Sequence, residues 1–413
     1  MAEKKFFYGW IIVAVCGFVL LITFGIRLSF AVFFVVLLDK FGWARADTSL
    51  IFSVSMIVFM LASTLAGIAL DKWGVRRVFS VGAGLLAIGL LLSSRIHTLT
   101  QLTFTYGVIA GLGITILGLG PQASVIARWF VRRRGLAIGM TFAGTGLGTL
   151  LLTPGTAVLI SQIGWRHAYI ALALLTLLMI PFILLFLRLS PNLMGLFPDG
   201  ERPSATYPRH INSSTQTGWT MPQIVRSPAF WLLILAGLGA IGPLRMLTVH
   251  QLATMADSGV DRILAASIVG LTGAVTAVAF IFWGSLSDRI GRRQAYTLGS
   301  LCLLAAILIL GSLQAASGTI WLLAYALMLG LGEGSRASLV TAVASDLFPG
   351  PALGTVNGAV GSAFGAGAAL FPWLAGRLFD QSGSYNQAFQ IGALAIGVSL
   401  LALWIAPLMV RRP

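Results

Sequence analysis

The sequence predicts an all-α membrane protein of twelve transmembrane helices, arranged as two six-helix bundles related by pseudo-twofold symmetry. Three observations carry this. Only 9% of the 413 residues are charged and 57% are hydrophobic, with a mean hydropathy of +0.93; a water-soluble globule carries about a quarter charged residues. Apolar runs long enough to cross a bilayer, roughly 20 residues each, occur about twelve times. Finally, Gly67-Ile-Ala-Leu-Asp71-Lys72-Trp73-Gly74-Val-Arg76-Arg77 recurs 217 residues later as Gly284-Ser-Leu-Ser-Asp288-Arg289-Ile-Gly291-Arg292-Arg293. In each copy an apolar helix ends, a carboxylate stands at the break, a glycine permits a tight turn, and a basic cluster opens the next helix.

The predicted helices follow in order. Helix 1 (10–38) is too long for a cleavable signal segment. Helix 2 (49–70) ends on the Asp71 turn and helix 3 (78–94) follows its basic cluster. Helices 4 (99–127) and 5 (136–163) flank Arg132–Arg134, and helix 6 (166–188) closes the first bundle, 1–188. Residues 189–226 are rich in Pro, Ser and Thr with scattered charge, a composition that cannot bury a core and predicts a cytoplasmic linker. The second bundle, 227–413, holds helices 7 (228–256), 8 (262–286), 9 (294–314), 10 (318–346), 11 (352–379) and 12 (386–410). Cys16 and Cys302 fall inside apolar helices of different halves, which excludes a disulfide framework.

The halves are repeats. Windows 111–148 and 330–367 hold nine glycines each, and six coincide (Gly111/Gly330, Gly113/Gly332, Gly135/Gly354, Gly139/Gly358, Gly146/Gly365 and Gly148/Gly367), where about two would by chance. Such glycines let helices pack closely.

The net charge of +15 does not indicate nucleic acid once the charges are placed. With the N-terminus cytoplasmic, eighteen Lys and Arg fall on the cytoplasmic side, six on the other, and three inside spans. This positive-inside asymmetry predicts a multi-pass protein of the inner (plasma) membrane with both termini cytoplasmic.

The repeated Gly-x-x-x-Asp-[Arg/Lys]-x-Gly turn followed by basic residues, with six helices, a linker and six more, resembles the major facilitator superfamily over nearly the whole chain. A narrower match is Trp129-Phe-Val-Arg132-Arg133-Arg134-Gly135-Leu-Ala137-Ile-Gly139-Met-Thr-Phe-Ala143-Gly144, which is similar to the helix 5 signature of monocarboxylate transporters, relatives of the oxalate/formate exchangers. Tyr8-Gly9-Trp10 at the start of helix 1 also resembles that branch. The resemblance implies alternating access by rocking of the two halves around a central site, commonly with carboxylate substrates and often with proton symport.

Four charged residues lie deep in spans: Arg27, Arg245, Arg336 and Glu333. A charge at mid-bilayer costs at least ~2.5 kcal/mol, so each is a candidate functional group. Arg27 and Arg245 are 218 residues apart, close to the repeat, and so are expected to be pseudo-symmetric mates that face one cavity and bind an anion. The alternative is that one or both pair with Glu333 or with helix carbonyls and stabilise a closed state. Glu333 and Arg336, three residues apart on helix 10, are expected to share a face, with Glu333 either a protonatable switch or half of a static pair. Arg336, Gln122, Thr248 and Asn357 are further candidate substrate ligands, with Tyr106 beside them. His250 is a candidate proton-coupling residue or a structural ring. Asp71 and Asp288, with Arg128 as partner to Asp71, are expected to gate the cytoplasmic side, or to cap turns. Pro154, Pro243 and Pro372 predict local kinks.

The chain departs from the monocarboxylate branch at three places. The helix 8 arginine falls at Phe280, the helix 8 carboxylate of animal members near Thr276, and the helix 11 lysine of oxalate exchangers near Phe364. The anion site is therefore expected at Arg27 and Arg245, a pairing similar to that of organophosphate/phosphate exchangers. The expected function is secondary active transport of a small organic anion by a monomer in the lipid bilayer, with a proton as possible co-substrate. Efflux of amphipathic compounds and a non-transporting membrane sensor are the alternatives. No metal-ligand spacing, phosphate loop or nucleophile elbow is present, so neither enzyme activity nor a cofactor is expected.

Overall fold

The computed structural model describes residues 7–130, 134–200, 221–314, 318–348 and 353–409. Among these, ten helical stretches are long and apolar enough to cross a membrane. One of them, 136–186, is two helices meeting at Gly164, whose φ of 78° no helix accommodates. A broken helix over 319–347 completes twelve spans. They are α1 (Gly9–Phe41), α2 (Arg45–Trp73), α3 (Val75–Ser93), α4 (Leu99–Trp129), α5 (134–163), α6 (165–186), α7 (Pro228–Asp257), α8 (Arg262–Ile290), α9 (Arg292–Gly311), α10 (Thr319–Gly334 and Arg336–Leu347), α11 (Leu353–Ser382) and α12 (Asn386–Ile405).

The two repeated turns adopt the geometry their glycines imply. Gly74 has φ 79° and ψ 158°, and Gly291 has φ 94° and ψ 147°. Both lie in a region that is essentially restricted to glycine. The chain therefore ends one helix and begins the next within a single residue.

By packing, the chain falls into two compact units, Met1–Ser29 with Leu61–Arg209 and Phe30–Met60 with His210–Pro413. Each is built on the same glycine crossing. In the first, a Cβ on Gly25 of α1 would lie 2.7 Å from Gly148 O of α5. In the second, a Cβ on Gly367 of α11 would lie 2.5 Å from Leu238 O and 3.1 Å from Gly242 N of α7. Gly25 and Gly242 stand at repeat-related positions, as do Gly148 and Gly367. The pair Gly148 and Gly367 is thus where helices of each unit touch backbone to backbone, whereas a Cβ on Gly139 or Gly358 would meet nothing within 4 Å.

Two helices differ from the continuous spans expected. α4 carries a π-helical stretch, Thr103–Ala110, and is interrupted at Leu117 and Gly118. α10 breaks at Ser335, between Glu333 and Arg336. The two interruptions lie at nearly equivalent repeat positions. Pro154, Pro243 and Pro372 are carried inside α5, α7 and α11.

Candidate functional site

In the second unit, α7 and α10 bring a cation and a carboxylate together. Arg245 Nη1 lies 3.3 Å from Glu333 Oε1, and the Thr276 hydroxyl of α8, which donates to Thr272 O at 2.8 Å, shares its hydrogen with Glu333 Oε2 at 3.3 Å. The two charged side chains are 21% and 16% exposed. That is buried enough to strengthen their attraction, yet open enough for a ligand to reach them. The alternative in which Arg245 pairs with Glu333 is therefore the one this structure adopts. Thr276 is the helix 8 position at which a carboxylate was absent from the sequence. Here its hydroxyl meets a carboxylate that arrives from α10.

A polar cluster continues along α7. The buried Thr248 hydroxyl donates to Arg245 O, the Gln251 amide donates to Thr248 O, and Gln251 Oε1 accepts from the buried Tyr325 hydroxyl at 2.9 Å. Gln251 and Tyr325 were not singled out from sequence. Tyr325 is an ordinary aromatic by composition, and only its place on α10 opposite Gln251 marks it.

Arg336 does not share a face with Glu333. Its guanidinium turns to a different neighbour, into full burial among α9 and α10. Its Nη2 donates to Ser300 Oγ at 2.9 Å, its Nε donates to Gly332 O at 3.3 Å, and it lies 4.5 Å from the centroid of the Tyr296 ring. Among the described residues its Nη1 has no hydrogen-bond partner. The Tyr296 hydroxyl donates in turn to Ser399, which donates to Ala236 O. This cation is a fixed part of the core in this structure, sealed from any ligand.

In the first unit, Arg27 is half-buried on α1, 5.4 Å from the Phe24 ring centroid and within electrostatic reach of the Tyr106 hydroxyl. That hydroxyl donates to Ile26 O at 3.4 Å, and Tyr106 sits in the π-helical part of α4. Gln122, fully buried just past the α4 break, donates to Leu117 O at 3.2 Å; among the described residues its Oε1 has no partner. Asn357 is half-buried on α11. Arg128 is exposed at the end of α4. The side chains of Asp71 and Asp288 lie outside the described residues.

His250 lies elsewhere, in a network at the end of the second unit that carries residues 42–44. Arg45 grips Asp257 with both terminal nitrogens at 2.8 Å, while its Nη1 donates to the Tyr385 hydroxyl at 2.9 Å and its guanidinium lies 3.8 Å from the Phe379 ring centroid. Asp380 accepts from the backbone N–H groups of Arg45 and Ala46, at 2.9 and 2.8 Å, and so caps α2 from another helix. Asp39 and Arg262 form a second ion pair beside it. A Cβ on Gly376 would lie 2.6 Å from Ala46 N, so α2 begins directly against α11. Burial pushes the Tyr385 phenol up from its ordinary value, against the opposing pull of Arg45, so the hydroxyl keeps its proton. The residues of this network fall at helix ends, where in the sequence they read as ordinary loop charges.

The sequence profile of the Major Facilitator Superfamily matches residues 13–255 and 245–413. The chain is 27% identical to human monocarboxylate transporter 11 over 95% of its own length and 82% of that protein's. It is 26% identical to human monocarboxylate transporter 12 over 98% and 81%. Among solved structures it resembles the nucleoside transporter NupG, with a TM-score of 0.72 at 13% identity over 97% of this chain and all of that one. It also resembles a bacterial homolog to the human lysosomal transporter Spinster, inward-facing and occupied, with a TM-score of 0.66 at 16% identity over 98% and 97%. The chain belongs to the Major Facilitator Superfamily, and is a multi-pass membrane transporter, not an enzyme.

Proposed function

We propose that the protein is a secondary active transporter that moves a small organic anion of carboxylate type across the inner (plasma) membrane, coupled to protons. The observation that carries this reading is the half-buried Arg245–Glu333 pair with Thr276. An arginine held by an internal carboxylate is an anion receptor with its counter-ion already in place. A substrate carboxylate reaching Arg245 competes with Glu333 for the same donors. Protonation of Glu333 removes its hold on Arg245 and leaves it bonded to Thr276, so that one proton enters with one anion. The relatives named monocarboxylate transporters, similar along nearly the whole chain, support the substrate class.

In this reading Arg27 is the receptor of the first bundle, with Gln122, Thr248 and Asn357 as hydrogen-bonding neighbours of the bound anion. The bundles are 1–188 and 227–413, joined by the linker 189–226, and the termini are cytoplasmic. Asp71, Arg128 and Asp288 gate the cytoplasmic side, and the protein works as a monomer. Uptake of radiolabelled monocarboxylates into proteoliposomes is the test. Arg27→Gln and Arg245→Gln are each expected to lose roughly tenfold or more of uptake, the scale of one charged hydrogen bond. Uptake equal to wild type in either variant would remove that arginine from the site.

A further inference from the structure

His250 is 1% exposed, and both of its ring nitrogens are engaged. Nε2 lies 2.8 Å from Pro372 O, which can only accept, so Nε2 carries the hydrogen. Nδ1 lies 2.9 Å from the Tyr385 hydroxyl, and that hydroxyl also receives Arg45 Nη1, which can only donate. The phenol's own hydrogen is left for Nδ1. The hydrogen bonds therefore run in one direction, from Arg45 to Tyr385 to His250 Nδ1, and from Nε2 to Pro372 O. The charged and titratable groups of the network gather around Tyr385, ahead of α12, and Arg45 of α2, which stand between them and the ring. They are Asp257 of α7 and Asp380 of α11, with the Asp39–Arg262 pair of α1 and α8 alongside; the edge of Phe34 meets the ring itself at 5.2 Å. Together they fasten the stretch Phe30–Met60 onto the rest of its unit.

We propose that His250 is a proton-binding site whose occupation releases this latch. A proton from the aqueous phase enters at Nδ1 and the Tyr385 O–H···Nδ1 bond is lost. The new Nδ1–H then points at a phenol oxygen that already receives Arg45, so two cations converge on one acceptor. The arrangement relaxes when Tyr385 and Arg45 part, which frees the start of α2 from Asp257 and Asp380. Acid on the side of residues 42–44 thereby favours opening of that side, the step at which a proton-coupled carrier takes up its cargo. The inference rests on the transporter reading above but not on its anion site.

The test uses the full chain in proteoliposomes without substrate, with Cys16 and Cys302 replaced by Ala. Ser49, fully buried near the start of α2, is changed to Cys. Its labelling by a water-soluble methanethiosulfonate is measured relative to Gln381→Cys, an exposed position, to cancel the thiol's own pH dependence. From about pH 7.5 to about pH 4, a range that reaches well below that of a free imidazole because this ring is fully buried beside a guanidinium, relative labelling of Ser49→Cys is expected to rise roughly threefold or more. With His250→Gln it stays at the neutral-pH level, because an amide can donate to Pro372 O and accept from Tyr385 without titrating. Tyr385→Phe gives an independent check: labelling is high and flat with pH. Labelling indifferent to pH in the His250 protein overturns the proposal, and so does an acid-induced rise that survives in His250→Gln, which would assign the response to the carboxylates. A defect confined to the anion site would appear instead as lost carboxylate binding with the labelling response intact.

Discussion

Arg245 and Glu333, on helices 7 and 10, meet at 3.3 Å with Thr276 completing the carboxylate's contacts. The pair ties together two spans that would otherwise each carry an uncompensated charge in the membrane interior. That relationship sets what substitutions there do.

Arg245→Gln leaves Glu333 with the Thr276 hydroxyl, whose hydrogen is shared with Thr272 O, and Glu333→Gln strips Arg245 of its counter-ion. Each single variant is expected to lower thermal stability in detergent. The double variant should lose less than the sum, with a coupling energy of about 0.5–3 kcal/mol. Additive losses would show that the pair does not act as a unit.

Coupling is a separate matter. Glu333→Gln is expected to retain carboxylate counterflow while its net uptake no longer accelerates under an inward acid gradient, because the glutamine cannot cycle a proton. Uptake by this variant that stays proton-driven would exclude Glu333 as the switch.

Among the described residues, Arg336 is buried with neutral partners, Ser300, Gly332 O and the face of Tyr296. Its long stem fills core volume, while its charge is costly to bury. Arg336→Met, similar in length and uncharged, is expected to match or exceed wild type in Tm. Arg336→Ala should lose about 2–5 kcal/mol through the cavity it leaves. The reverse ranking would show that the charge itself stabilises the second unit.

Gly74 and Gly291 hold backbone angles that a Cβ opposes. Gly74→Ala and Gly291→Ala should each destabilise by about 1–3 kcal/mol, read as lowered Tm. An unchanged Tm would mean that the turns relax freely.

Much of this architecture was legible in the sequence because a bilayer leaves few options. Spans must be apolar and helical, so α7 begins where the sequence placed it, at Pro228, and α8 and α12 begin at Arg262 and Asn386. The duplicated glycines pointed to close helix packing, and the structure places one pair of them, Gly148 and Gly367, at the α1/α5 and α7/α11 crossings. What escaped was local. Glu333 and Arg336 stand three residues apart on α10, yet Glu333 turns to Arg245 while Arg336 turns to Ser300, because different neighbouring helices offer their partners. The π-helical stretch that positions Tyr106 is equally silent in sequence. The Arg45 network escaped because Arg45 lies more than 200 residues from each of its partners, at helix ends where charges are common and pairing is set by the fold.

The most direct test of the anion site is a binding-stabilisation screen over mono-, di- and tricarboxylates and sugar phosphates, run on wild type and on Arg245→Gln. At least one carboxylate is expected to raise the Tm of wild type, with an apparent affinity roughly tenfold or more weaker in the variant. Equal stabilisation of the two proteins by the same carboxylate would contradict the assignment of Arg245 as the anion receptor.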